Sequence, residues 1–259
     1  MLFLTRLVRA FAGMGLLVAV AAGTARAGEI VWDTDGACAT GLACNSTART
    51  FLGSDGTTKV VAKAWSLAGG LSGVAEGADI GHWLGWGLGV INEGESGTSP
   101  NHAVDNYGRF DMVAFFFDEV VDITAASLRS IWTGSHYGDT DISVWIGTET
   151  VMPDLTGATL TSLDAMYGGH FDNTGPRETR TAYFNADGEA GNFLLIGAQM
   201  ASADRDDFFK IKALQAFAVE APPDGGGGAV PEPSSMAVFG IGVLGIAALR
   251  RRRARVSAQ

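Results

Sequence analysis

The side chains best suited to chemistry in this chain are oxygen ligands and indoles. Asp105, Asn106 and Asp111 lie close together, as do Asp139 and Asp141, and both groups sit among turn-forming residues. Hard oxygen donors gathered on loops between strands are what Ca2+ requires, so these five residues are candidates for a weak calcium site. No EF-hand or nonapeptide repeat accompanies them, and Asp and Asn equally close Asx-turns and cap strand ends. Trp83 and Trp86 flank a glycine-rich stretch, Gly85-Trp86-Gly87-Leu88-Gly89, where backbone can lie exposed. An indole joins an apolar face to an N–H donor, a combination that suits a sugar ring, so the two form a candidate glycan-binding pair. Six tryptophans are also what a β core uses, and Trp132 and Trp145 fall at strand positions. The same stretch contains G-x-G without the third glycine or the βαβ setting of a nucleotide site, and it reads as a loop or strand edge.

Catalytic patterns are missing. His82, His102, His136 and His170 stand in different segments, with no H-x-H or H-E-x-x-H spacing, and each reads as structural. Ser135, His136 and Asp139 are neighbours in sequence, but a triad needs convergence in space, and no G-x-S-x-G element is present. A glycosidase pair cannot be picked out among so many acids. No catalytic residue is therefore expected, and the protein reads as a non-enzyme. Cys38 and Cys44 are the only cysteines, separated by five residues. In an exported protein they should oxidise to one small disulfide loop.

The elements that would position these groups are strands. Lys59 to Leu67, Phe110 to Phe117, Ser127 to Trp132, Asp141 to Ile146, Thr179 to Phe184, Phe193 to Gln199 and Phe208 to Val219 alternate or run apolar between Gly, Asp, Asn and Ser clusters. Phe110 to Phe117 should cross the middle of a sheet. No long 3.6-residue period competes, and 36 glycines suit turns better than helices. The expectation is an all-β fold, an antiparallel β-sandwich of jelly-roll type over 28–220. An N-terminal signal helix and a C-terminal hydrophobic helix should flank it. The ends hold eight of the 18 Lys and Arg and only Glu232 of the 28 acids, leaving ten basic against 27 acidic residues over 28–229, a balance of -17. Such a surface repels nucleic acid and anionic lipid.

Met1 to Ala27 has a basic start with Arg6 and Arg9, an apolar run from Phe11 to Ala22, and the small-residue site Ala25-Arg26-Ala27. That is the pattern of a cleaved secretory signal peptide. Beyond the domain, 221–229 are a Pro/Gly-rich linker, with Gly225 to Gly228 in a row. Then come Pro231-Glu232-Pro233, an apolar stretch from Met236 to Leu249, the cluster Arg250, Arg251, Arg252, Arg253, and a short cytoplasmic tail, 254–259. As a helix, Ser234 to Leu249 would reach about 24 Å, slightly short of a hydrocarbon core of about 30 Å. The arginines would stay cytoplasmic and hold the domain outside the inner membrane. In order and spacing, 230–253 resemble the PEP-CTERM sorting signal. The resemblance implies recognition of Pro-Glu-Pro by exosortase, a membrane-embedded cysteine protease, which removes the helix and the arginines. A permanent single-pass anchor is the competing reading.

A second resemblance lies inside the domain. His102-Ala103-Val104-Asp105-Asn106 followed by Gly108 and Phe110-Asp111, then Asp139-Thr140-Asp141-Ile142-Ser143-Val144, then Leu195-Ile196-Gly197-Ala198 and Asp206-Asp207-Phe208-Phe209-Lys210-Ile211, are similar to a pattern of exosortase-dependent surface proteins. That group implies an address at the cell surface or extracellular matrix and a link to exopolysaccharide and biofilm. It brings no catalytic residues. A carbohydrate-binding module, or a glycan hydrolase, on the same β fold is the alternative.

Overall fold

Runs of β-branched and aromatic residues broken by glycine and asparagine turns leave this chain one economical way to satisfy its backbone, which is to pair with itself. The computed structural model describes residues 28–36, 43–95, 102–135, 137–201 and 205–219. The strands are β1 (Glu29–Asp33), β2 (Ala43–Ser46), β3 (Arg49–Leu52), β4 (Lys59–Ala68), β5 (Val74–Trp83), β6 (Gly87–Ile91), β7 (Val104–Asp105), β8 (Phe110–Ser130), β9 (Ile142–Gly147), β10 (Phe171–Asn173), β11 (Arg180–Tyr183), β12 (Ala190–Ala198) and β13 (Phe208–Ala218). Among the described residues one α-helix, α1 (Leu160–Tyr167), joins them. The fold is all-β, and the strands form a single hydrogen-bonded set in the order β1-β13-β6-β5-β4-β8-β12-β9-β10, with β11 on β8, β2 on β5, β3 on β4 and β7 on β13.

The 21-residue β8 organises the set. Its first half, Phe110 to Phe117, runs between β4 and β12. Its second half, Val121 to Ser130, pairs with β13, and Ala125 to Leu128 also pair with β11. The changeover falls at Asp118-Glu119-Val120, all exposed. Phe110 to Phe117 thus crosses the middle of the sheet as expected, but Ser127 to Trp132 is not a separate strand. No Gly, Pro or Asn interrupts Phe110 to Ser130, so the residues that best adopt turn conformations are missing and the chain stays extended.

Both halves of β8 feed one core. Phe115 and Phe117 from the first, Ile123 and Leu128 from the second, and Trp32, Phe209, Ile211 and Leu214 belong to the same buried cluster. The other face of the first half packs Met112 and Ala114 with Trp65, Trp145, Phe193 and Leu163 of α1. Burial on both faces explains why Phe110 to Phe117 reads as continuously apolar rather than alternating. The helix escapes sequence reading because two turns are too short to display a period. Its ends carry the signals: Thr159 and Ser162 form a capping box, and Gly168 closes it in the left-handed region at φ 76°.

Ala103, Ile131 and Phe208 form a small third cluster away from the main core. Among the described residues no helix is long and apolar enough to cross a membrane. The expected signal helix (1–27) and sorting helix within 230–253 lie outside the described residues, as do Cys38 and His136; Cys44 is placed on β2.

Candidate functional site

On the outward face of β5 and β6 the sheet is bare. Gly81 and Gly89 stand directly opposite each other, and Trp83 is paired with Gly87. Side chains alternate along a strand, so Gly81, Trp83, Gly87 and Gly89 share one face while Ile80, Leu88 and Val90 point into the core. A Cβ on Gly81 would lie 1.9 Å from the Trp83 ring, so that indole lies folded across the glycine. A Cβ on Gly89 would lie 1.8 Å from the His102 carbonyl oxygen and 2.8 Å from Lys210 Nζ. Glycine here makes room for close approach of an aromatic ring, a neighbouring backbone and an ammonium group. The turn that joins β5 to β6 carries Gly85 at φ 78° and lifts Trp86 to the surface.

The result is a cavity of about 280 Å³ lined by Trp83, Trp86, His102, Ile131, Trp132 and Lys210. Lys210 alternates with the core residues Phe209 and Ile211 on β13 and so points to this outer face. Its Nζ donates to the His102 carbonyl at 2.7 Å and sits 3.3 Å from the centre of the Trp83 ring. The ring faces attract a cation. His102 stacks obliquely on Trp83 with centroids 4.4 Å apart. Arg129, from the second half of β8, lies 3.8 Å over Trp86 and donates from one guanidinium nitrogen to the Gly85 carbonyl at 2.6 Å. Trp86 and Trp132 remain 44 % and 48 % exposed, whereas Trp83 is half-buried under its partners.

The electrostatics of the cavity are one-sided. Burial pushes the Lys210 ammonium well below the usual lysine range, and no carboxylate offsets the effect. Burial and then the nearby Lys210 bring His102 down to about 4. Chemically, the site offers apolar ring faces, indole N–H donors and a buried amine, without the two carboxyl groups that glycoside hydrolysis uses. A larger groove of about 540 Å³ passes Lys63, Trp65, Asp79, Asn92 and Glu93, but its one indole, Trp65, is only 4 % exposed.

The five candidate calcium ligands separate into two groups. Asp139 and Asp141 meet Asp207, and oxygens from all three lie within 4.8 Å of one another. Asp139 and Asp207 are joined by a parallel bridge, and Asn106 Nδ2 donates to Asp207 Oδ2 at 2.6 Å. Asp207 Oδ2 also accepts from the Gln199 amide at 2.8 Å. Asp141 accepts from the Gly175 amide, yet burial foremost, with the charges of Asp139 and Asp206, raises its carboxyl above the usual range. Asp105 and Asp111 lie apart from this group. Asp111 is fully buried, accepts from Ser66 and from Asn92 Nδ2 at 3.2 Å, and is lifted by burial to about 7. Burial and the Asp111 charge also push Asp105 well up. Asp105 keeps an Asx contact as well, accepting from the Tyr107 amide at 2.9 Å.

Trp83 and Trp86 do share one cavity. Ile131, Trp132, His102 and Lys210 complete it, Arg129 stacks on Trp86, and Asp207 joins the carboxylate group; the sequence reading names none of these as a site residue. The available signal was the glycine spacing at 81, 87 and 89, which marks a face with no side chains of its own. His170, read as structural, makes a 2.7 Å contact from Nδ1 to Asp164 and packs on Trp145, away from this cavity.

Among known protein families, the PEP-CTERM protein-sorting motif matches residues 229–253. These residues include Pro231, Glu232, Pro233 and the four arginines from Arg250 to Arg253. No curated protein and no solved structure matches the chain. The tail carries the PEP-CTERM sorting motif, which implies export, exosortase as the processing partner at the membrane, and delivery to the cell surface.

Proposed function

We propose that this protein is a non-enzymatic component of the cell surface or extracellular matrix that holds exopolysaccharide through its indole cavity. The observation that carries the proposal is the convergence of Trp83, Trp86 and Trp132 on one cavity, two of them about half exposed, in a chain whose tail carries a surface-sorting motif. Exposed indoles stack on the apolar faces of sugar rings, and their N–H groups bond hydroxyls. The leader ending at Ala27 starts export, and exosortase removes the helix and arginines, so the tail is a temporary handle. A sandwich-type arrangement of the strands, a fold on which such sites are readily placed, is part of this reading.

The test is a glycan array and a polysaccharide pull-down with the processed protein. Binding should fall more than about tenfold in Trp86→Ala and in Trp132→Ala, a loss expected when a stacking anchor is truncated. Silence on every glycan overturns the polysaccharide role. Deleting the exosortase gene of the host should leave a longer, membrane-retained form, and an unchanged mass would remove the processing step. A Ca2+ ion in the Asp139–Asp141–Asp207 group is favoured by the close approach of three carboxylates, whose mutual repulsion a divalent cation relieves.

A further inference from the structure

Lys210 is buried in the cavity with no carboxylate partner among the described residues. Lys210 is 1 % exposed, and its described partners are a backbone carbonyl and a ring face, neither of which carries a full negative charge. A buried charge is normally paired, because removing it from water is expensive. The other cation at the site, Arg129, has no carboxylate partner among the described residues, whereas Arg109, Arg177 and Lys212 pair with Glu76, Asp206 and Asp35. The domain has 27 acids for ten bases over 28–229, yet among the described residues no acid lines this cavity. Beneath it, burial foremost and then Arg49 lower His82, and Lys210 adds a like-charge push against the opposing pull of Asp35. The cavity gathers two basic groups and, among the described residues, no acid.

We propose that the occupant is an anionic saccharide, seated with a carboxylate toward Lys210 and its ring across Trp86 and Trp132. The proposal rests on the polysaccharide role above and names the class of sugar. A neutral glycan would use the indoles but leave the buried basic group uncompensated, whereas a uronate supplies an opposite charge to it. Arg129, stacked behind Trp86, adds positive potential to the ring that would carry the sugar. The acids elsewhere slow the approach of such a ligand rather than forbid it, since exposed charges beyond about 8–10 Å are screened at physiological salt.

The experiment takes the processed protein and three uronate polymers, polygalacturonate, alginate and hyaluronate, each beside its carboxyl-reduced neutral form, with binding measured by calorimetry. At least one uronate should bind about tenfold or more tightly than its reduced form, and the preference should weaken at high salt. Lys210→Met should erase the preference while leaving residual binding to the reduced polymer, and Arg129→Gln, a change at a half-buried position that tests the same point if Lys210→Met does not fold, should diminish it. Equal binding of charged and reduced forms overturns the anionic inference and leaves the polysaccharide role intact. Binding of a reduced form that Trp86→Ala abolishes has the same meaning. Failure of all six polymers overturns the anionic inference, and the glycan array then decides the broader role.

Discussion

The indole cavity and the two carboxylate groups put charge into the same kind of low-dielectric surroundings, with opposite sign and by opposite means. At the cavity, side chains have been taken away: Gly81 and Gly89 clear a patch of sheet on which Trp83 and Lys210 rest. At the acidic groups, polar side chains have been added. Ser66 and Asn92 serve Asp111, while Asn106 serves Asp207. The difference shows which substitutions matter, since a cleared patch is broken by adding a methyl group and a buried acid by removing its hydrogen-bond partners.

The largest effect should come from Gly89→Ala, which drives a Cβ against the His102 carbonyl and should destabilise the domain by about 3 kcal/mol in urea melts. Its counterpart near the acids, Gly108→Ala, meets no atom within 4 Å and strains only a φ of 87°, so about 1 kcal/mol is expected. Equal losses would mean that the cavity is not packed in this way.

The pH dependence sharpens the contrast next. Asp111 is raised to about 7, so between its unfolded value near 4 and pH 7 the folded state holds the proton more tightly, and its contribution to stability is present at low pH and lost as pH rises. The folded state holds protons less tightly at His102, lowered to about 4, and at Lys210, so these favour folding at higher pH. Asp111→Asn should therefore steepen the rise of stability with pH between about 4 and 7, by up to about 1.4 kcal/mol per pH unit for one proton. Lys210→Met should flatten the profile above neutrality. Denaturant midpoints at several pH values check both, and an unaltered profile in Asp111→Asn would refute the buried acid.

Smaller again is the response to Ca2+. At about ten times its dissociation constant the ion should raise the melting temperature by about 3–5 °C relative to chelator, and Asp139→Asn with Asp141→Asn should cancel the rise. A shift below a degree or two assigns these residues to turns alone. The smallest effect belongs to Trp132→Ala, whose ring is 48 % exposed: stability should change by less than about 0.5 kcal/mol while glycan retention falls. A large loss of stability would turn that indole from a binding platform into a packing residue.

Much of the scaffold was legible beforehand because its signals are local. Lys59 to Leu67, Phe193 to Gln199 and Phe208 to Val219 carry enough apolar and β-branched residues to announce β4, β12 and β13 within a residue or a few. The strands β5 and β6 were hidden because Gly77, Gly81, Gly87 and Gly89 remove the very side chains whose alternation reveals a strand. Those same glycines create the cavity, so the site was concealed by its own construction.

The sequence by itself determined the address, through Pro231-Glu232-Pro233, the apolar stretch and the arginine cluster, and it determined an acidic, antiparallel β domain with two indoles beside a glycine run. Only the tertiary structure decided that β8 is one strand serving two sets of partners, that the expected calcium ligands divide, and that Lys210 lands on Trp83. The reason is distance along the chain. Composition and period act over a few residues, whereas the seat of Lys210 depends on Ile211 meeting Leu88, a register between strands far apart in sequence that no local pattern records.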